Sequence, residues 1–133
     1  MHRLGVVSAA LLVGLVLCSA SSAHGQRATE RFIPIGESPG VSGKLTMIGT
    51  IAAVEPERRR IRIAGPGGPV TLAITKSTEI WLDRHELGQS AAHGSLADCQ
   101  IGRTVEAKYT DPSKRDVAEW VKVRVPAPGA PAP

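Results

Sequence analysis

Three side chains in the second half of the chain, His85, His93 and Cys99, are of the types that bind transition metals. Eight positions separate the two histidines, and six separate His93 from Cys99. Zinc ligands usually come in tight pairs with roughly two to four residues between them, and this spacing is wider. Metal binding by these three residues is therefore the alternative hypothesis. The preferred interpretation is a buried, structural Cys99 and two histidines in solvated loops.

The densest positive charge of the chain is a run of four arginines between positions 58 and 62. Arg60 and Arg62 alternate with Ile61 and Ile63, so both arginines would share one face of a β-strand. Guanidinium groups on an exposed strand suit an anionic partner, and Trp81 could add a flat ring for stacking. Arg60, Arg62 and Trp81 are the candidate binding residues. The alternative is that the arginines solvate the rim of a hairpin and Trp81 seals the core.

No pattern of residues typical of catalysis is found in the sequence. Two of the four histidines, His2 and His24, lie in or next to the N-terminal apolar segment, which leaves few candidates for a Ser-His-Asp arrangement. The acids between positions 83 and 100 lack the pattern of paired catalytic carboxylates. We therefore expect a protein that is not an enzyme and that has no cofactor.

The N-terminus has the three parts of a secretory signal peptide. Arg3 supplies positive charge, residues 4–17 form an apolar run, and small residues follow it. Ser21 and Ala23 satisfy the need for small side chains before the cut, so we place cleavage after Ala23 and assign residues 1–23 to a signal helix. The mature protein is then expected in the periplasm or outside the cell.

Two alternatives to this cleavage remain open. Leu15–Cys18 is similar to a lipoprotein lipobox, although Leu17 stands where such boxes carry Gly, Ala or Ser. The other alternative is an uncleaved membrane anchor, which the shortness of the apolar run disfavours.

Charge and cysteine content narrow the class of protein further. The chain carries 16 basic and 12 acidic residues, and cleavage would remove Arg3 and no acid. A mildly basic, exported protein is a poor match to a nucleic-acid partner. Cys99 would be the one cysteine left after cleavage, so no intramolecular disulfide can form and the core and the sheet must hold the fold together.

The elements that position these residues are short β-branched runs separated by turn signals. Turns are predicted at 55–58, 65–68 and 111–114, where Pro, Gly and Asp occur. The predicted strands are 44–54, 59–64, 70–75 with a continuation at 78–82 after a bend, 104–110 and 117–125. The segment 83–100 loses the strand period and is predicted to hold a loop and a short helical turn near Ser95–Cys99.

Five strands with an irregular insertion before the fourth predict an all-β fold, a five-stranded OB-like Greek-key barrel over residues 44–125. An open, β-sandwich-like sheet is the alternative. Residues 24–43 are predicted to be a flexible lead, within which the apolar side chains of 32–35 could dock on the barrel. Residues 126–133 contain only Pro, Ala and Gly and are predicted to be a disordered tail.

The strand motifs follow one another in a distinctive order. Gly49–Val54 leads into a charged turn and Ile61–Ile63, and Leu96–Ala107 precedes a closing strand with Val121 and Val123. This order resembles that of a family of small exported bacterial OB-like β-barrel domains of unknown function. The resemblance covers residues 44–125, and because its motifs are structural it implies a fold rather than a ligand.

Two positions depart from that family: Arg103 stands where Asp is usual, and Cys99 where an apolar residue such as Leu is usual. The family's apolar spacing implies that Leu96, Cys99 and Ile101 belong to a short plug in the barrel. Leu96 and Cys99, three positions apart, would share one face of a helical turn. Cys99 is therefore expected to be buried.

These observations predict an extracytoplasmic, non-catalytic binding or interaction module whose ligand is unknown. Its expected partner is an anionic envelope component or a protein, and not a nucleic acid. The two other hypotheses are a periplasmic metal-binding protein that uses His85, His93 and Cys99, and a structural component of the envelope.

The predicted export can be tested on the protein from its host. Because Ser21 and Ala23 fit the signal peptidase, mass spectrometry should find His24 as the first residue. An intact Met1 or a lipidated Cys18 would contradict this cut site.

Overall fold

The computed structural model describes residues 33–37 and 45–129. The predicted signal peptide, most of the predicted lead and residues 130–133 of the predicted tail lie outside the described residues. Cleavage after Ala23 therefore stays a prediction.

Seven β-strands and two 3₁₀ turns make up the described part of the chain, which confirms the all-β prediction. The strands are β1 (Thr46–Glu55), β2 (Arg60–Gly65), β3 (Gly68–Ala73), β4 (Glu79–Asp83), β5 (Ala92–His93), β6 (Thr104–Tyr109) and β7 (Ala118–Arg124). The 3₁₀ turns are His85–Leu87 and Leu96–Asp98.

The strands form one mixed sheet in the order β3-β2-β1-β6-β7-β4-β5. All neighbouring pairs are antiparallel except β4 and β7, which are parallel. The described residues thus form seven strands where the sequence predicts five. One addition is the two-residue β5, and the other arises because the predicted third strand is divided into β3 and β4.

The division between β3 and β4 is a turn held by two threonines. The backbone N–H of Thr78 donates to the Thr75 carbonyl at 3.1 Å, and the Thr75 N–H donates to Thr78 Oγ1 at 2.9 Å. Thr78 Oγ1 in turn donates to the carbonyl of Ala118 at 2.6 Å. At this bend the Thr78 hydroxyl, rather than a neighbouring strand, bonds to the backbone of Thr75 and Ala118. It thereby links the predicted bend to the start of β7.

The end of β3 also meets the start of β7. Ala73 and Val117 form an isolated parallel bridge, and the Ala73 N–H donates to the carbonyl of Asp116 at 2.8 Å. The turn between β1 and β2 reaches the same point, because the Ile74 N–H donates to the carbonyl of Arg59 at 2.8 Å. The sheet therefore curls far enough for β3, at one end of the strand order, to contact the residue that precedes β7.

The concave face of this curled sheet forms the hydrophobic core. The alternation in β2, β6 and β7 predicts which side chains point inward. The structure confirms it for Ile61, Ile63, Val105, Ala107, Tyr109, Val121 and Val123. Val125, on the predicted inward face of the last strand, lies beyond the end of β7 and is only partly buried. Ala118 is out of phase with Val121 but is buried in the core, because the pairing of β6 with β7 shifts register between Lys108 and Tyr109. The other strands contribute buried residues to the same core: Ile51 from β1, Leu72 from β3 and Ile80 from β4.

The second 3₁₀ turn delivers Cys99 to the core, as the sequence predicts. Cys99 is 3% exposed, and Leu96 packs against the same cluster. The turn is held by a capping box in which the Ser95 N–H donates to Asp98 Oδ2 at 2.7 Å.

The assignment of Ile101 to this plug is wrong. Ile101 lies in a tight turn closed by a bond from the Arg103 N–H to the Gln100 carbonyl, and its side chain is 70% exposed. The Gly102 N–H donates to the carbonyl of Ile51 at 2.9 Å. The backbone of this turn, rather than the Ile101 side chain, therefore makes the contact with β1.

The opposite face of the sheet buries an ion pair. Glu106 of β6 and Lys122 of β7 are cross-strand neighbours, 0% and 1% exposed, with 3.7 Å between Lys122 Nζ and Glu106 Oε2. Lys122 Nζ also donates to the carbonyl of Ile33 and lies 5.1 Å from the ring centroid of Trp120. Residues 33–37, which we call the strap, contact this pair through the hydrogen bond from Lys122 to the Ile33 carbonyl.

A second carboxylate anchors the strap. Asp83, 5% exposed, accepts a hydrogen bond from the Ile35 N–H on Oδ2 and another from the His85 N–H on Oδ1, both at 3.0 Å. Ile35 itself is 6% exposed. Docking of this part of the predicted lead is therefore confirmed for Ile35, while Phe32 lies outside the described residues.

Removal of one partner of the buried pair should destabilise the fold more than removal of both. Lys122→Met removes the cation that lies 3.7 Å from the buried Glu106 carboxylate, and we expect a loss of about 3–5 kcal/mol in the free energy of unfolding. The double variant Lys122→Met/Glu106→Leu should recover most of that loss, since no isolated charge is buried. Urea denaturation measures both.

Lys108→Met is the control, because the Lys108–Glu119 pair on the same two strands is about a quarter exposed at 3.5 Å. We expect it to cost at most about 1 kcal/mol. Equal losses in Lys122→Met and the double variant would contradict the importance of charge pairing beneath the strap.

Candidate functional site

Arg60 and Arg62 lie on the outward face of β2, as their alternation with Ile61 and Ile63 predicts. Across the strands, Arg62 is opposite Ala53 of β1 and Thr71 of β3. The two arginines line a cleft of about 310 Å³ together with Ala53, Glu55, Ile61 and Thr71. Because Ala53 and Thr71 are small, the guanidinium groups stand above a shallow floor rather than between large neighbours.

The two arginines differ in how their charge is compensated. Arg60 binds Glu55 through two nitrogens, with Nη2–Oε2 at 2.8 Å and Nε–Oε2 at 2.9 Å, and both side chains are partly exposed. Arg62 is exposed and forms no ion pair within the described residues. The positive charge available to a partner in this cleft therefore resides mainly on Arg62, and Glu55 competes for Arg60.

Arg59 has a structural task. It is a non-glycine residue with a positive φ, 49°, and its Nε donates to the carbonyl of Ile74 at 3.0 Å. Together with the bond from the Ile74 N–H to the Arg59 carbonyl, this holds the β1–β2 turn against the end of β3. The left-handed conformation costs of order 1 kcal/mol, and these two bonds offset it.

The structure does not bring Trp81 to the arginines. In the sheet order β1, β6 and β7 lie between β2 and β4, the strand that carries Trp81. Trp81 is 6% exposed and its ring lies 4.0 Å from that of His93, centroid to centroid, at an angle of 36°. His93 reaches this position because it is the cross-strand neighbour of Trp81 in the β4–β5 pair.

The three potential metal ligands are also separated. Cys99 is buried in the core, whereas His93 stacks on Trp81 and His85 lies exposed in the first 3₁₀ turn. Among the described residues, no group of three or more His, Cys, Asp or Glu side chains is placed to hold a metal ion. The pairing of β5 with β4 places His93 opposite Trp81 and so away from Cys99. The sequence of β5 shows no alternation that would have predicted this strand.

The chemistry of Cys99 follows from its burial. Desolvation raises the pKa of the Cys99 thiol to about 11, and the nearby Asp98 carboxylate adds to the rise while Arg103 opposes it. The thiolate is the reactive form, so at neutral pH very little of the residue is present as a nucleophile.

Comparisons with family models, with curated proteins and with solved structures found no match to this chain. Within the described residues, no helix is long and apolar enough to cross a membrane.

Native Cys99 should react slowly with a bulky maleimide. Its raised pKa and its burial should make labelling at pH 8 at least about 100-fold slower than that of an exposed cysteine. The control is Ser90→Cys in a Cys99→Ala background, because Ser90 is exposed in the segment before β5. Mass spectrometry gives both rates, and rapid labelling of native Cys99 would contradict the plug and reopen metal binding.

Proposed function

We propose that this protein is an extracytoplasmic, non-catalytic binding module that recognises an anionic envelope component through the cleft of Arg60 and Arg62. The observation that carries the proposal is the exposed guanidinium of Arg62, without an ion pair in the described residues, beside Arg60 on a small-residue floor. A planar guanidinium can bind a carboxylate or phosphate through two hydrogen bonds, which favours an anionic group as the recognised element.

The proposal includes an OB-like barrel as the fold. If β3 and β4 are counted as one strand bent at Thr75–Thr78, the strand order and the parallel β4–β7 pair match the plan of that fold. The Ala73–Val117 bridge supports the same interpretation, because it joins β3 to the start of the last strand. The surface of the second and third strands is where OB-folds bind their ligands, and Arg62 and Thr71 lie on that surface.

Glu55 gives the cleft a defined state without ligand. Its carboxylate binds Arg60, so an incoming anion would displace it from part of the guanidinium. The affinity for a ligand then depends on how much more strongly Arg60 binds the ligand's anionic group than it binds the Glu55 carboxylate. Replacement of Glu55 by a neutral residue should therefore strengthen binding.

Export remains the reason for placing the partner in the envelope. The predicted signal peptide lies outside the described residues, and the location is part of the proposal. In this compartment, carboxylate-bearing polysaccharides and phosphate-bearing lipids both offer the chemistry that Arg62 would bind. The probes chosen for the test therefore represent each source.

The test compares polygalacturonate and phosphatidylglycerol vesicles with neutral dextran and phosphatidylcholine vesicles. We expect salt-sensitive binding to at least one anionic probe. Arg62→Gln should weaken that binding about tenfold, the effect of one charge-assisted contact, and Glu55→Gln should strengthen it. Isothermal titration and vesicle co-sedimentation measure the affinities.

Lys76→Gln is the matched control, because it removes one exposed positive charge from the turn between β3 and β4 and should change affinity less than about twofold. Equal effects of Lys76→Gln and Arg62→Gln would show that net charge rather than the cleft governs binding. Absence of binding to both anionic probes would reject the anionic partner and favour a structural role in the envelope.

A further inference from the structure

A second cleft, of about 360 Å³, lies between the first residues of β1 and the turn that joins β2 to β3. It shares no lining residue with the cleft of Arg60 and Arg62. Its volume falls at the lower end of the range of about 300–1,000 Å³ typical of small-molecule sites.

The strand register explains why this space is open. Residues 46–49 of β1 pair with β6, but the pairing of β1 with β2 begins only at Thr50 and Ala64. β2 and β3 continue together to Gly65 and Gly68. The hairpin end thus lies beside a stretch of β1 with which it forms no ladder. At Gly65 the two are close, since a Cβ there would lie 3.0 Å from Met47 Cε, and the open space begins beyond Gly65.

Pro66 is the one residue of the hairpin turn that brings a side chain to the cleft, because the other three are glycines. The turn reads Gly65-Pro66-Gly67-Gly68, and a Cβ placed on Gly67 or Gly68 would meet nothing within 4 Å. Gly68 has a φ of 104°, a conformation that favours glycine. The sequence of this turn therefore keeps the entrance to the cleft free.

The floor of the cleft is apolar and polarisable. Met47 and Val70 are half-buried and pack against the core, and Tyr109, 3% exposed, contributes an aromatic ring. A thioether, a branched alkyl group and a ring together suit an alkyl or aryl chain rather than a sugar.

One cation stands at this cleft. The Arg115 guanidinium lies 5.4 Å from the centroid of the Tyr109 ring, and Arg115 Nε donates to the carbonyl of Pro112 at 3.3 Å. Arg115 forms no ion pair within the described residues, and no acidic residue lines the cleft. Asp111, in the same loop, is engaged by the N–H and hydroxyl of Ser113 at 2.9 and 2.6 Å.

Tyr109 adds no negative charge beside Arg115. Burial raises the pKa of the Tyr109 phenol, with Arg115 opposing the rise, so the hydroxyl is protonated at neutral pH. The ring under the guanidinium is therefore neutral and does not repel an oxyanion.

We propose that this cleft is a second binding site, which takes a small amphipathic carboxylate with its alkyl chain on Met47, Val70 and Tyr109 and its carboxylate on Arg115. The site goes beyond the proposed recognition of an envelope component, since it uses different residues. It distinguishes its ligands in two ways, by the apolar contact of the chain and by the charge of the head group.

The test uses octanoate as the probe, with acetate, octanol and octylamine as comparison ligands, and follows backbone amide shifts of the mature protein by NMR. We expect octanoate to move the amides of residues 46–48, 65, 67, 68, 70 and 109; Pro66 and Pro69 have no amide proton. It should bind about tenfold more tightly than octanol, and acetate and octylamine should produce no saturable shift. Equal binding of octanoate and octanol, or shifts absent from these residues, would overturn the proposal.

Variants separate the two parts of the site. Arg115→Asn, which keeps a residue tolerant of the φ of 52°, should weaken octanoate about tenfold and leave octanol unchanged. Val70→Phe, which fills the cleft but keeps the charge, should weaken both ligands. Circular dichroism first establishes that each variant is folded.

Lys114→Gln and Lys76→Gln are the controls, because each removes one exposed positive charge outside this cleft. Both should bind octanoate as the unmodified protein does. Loss of octanoate binding in Lys76→Gln, or retention in Arg115→Asn, would overturn the assignment to Arg115.

Discussion

The buried pair of Glu106 and Lys122 is the interaction on which the arrangement of the sheet's outer face depends. Two charges with almost no exposure are stable only if each is compensated, and here the compensation comes from the partner charge, from the Ile33 carbonyl and from the Trp120 ring. The strap is therefore part of the electrostatic balance of the sheet rather than an accessory to it. Its loss would remove the carbonyl that accepts a hydrogen bond from Lys122.

This constraint also decides which surface is left for binding. The strap contacts β7 through Lys122, the end of β4 through Asp83, and lies next to Ile48 of β1 at Gly36. The outward face of β2 is not covered by it, and Arg62 remains exposed there. Both proposed sites lie on surfaces that neither the strap nor a paired strand covers. One is on the outward face of β2, and the other is in the cleft beside the hairpin turn.

Much of the strand pattern could be predicted because it depends on local alternation. A period of two in β2, β6 and β7 states which side chains enter the core, and the Gly-rich turn marks the hairpin. Cys99 was predictable through its spacing from Leu96, whereas Ile101 was not, since a turn bonded to Ile51 directs it to solvent. The alternation also placed Arg60 and Arg62 on one face, which is half of the proposed site.

The sequence by itself determined the all-β character, the inward and outward faces of the long strands and the position of the arginines, because these follow from neighbours a few residues apart. Only the tertiary structure decided what depends on pairing between distant segments. It set Trp81 against His93 and away from Arg62, and it divided a predicted strand at a threonine turn. It also buried Glu106 and Lys122 on the face of the sheet opposite the core. The alternation of residues along one strand specifies which side chains share a face. The order of the strands in the sheet specifies which side chains from different strands contact each other.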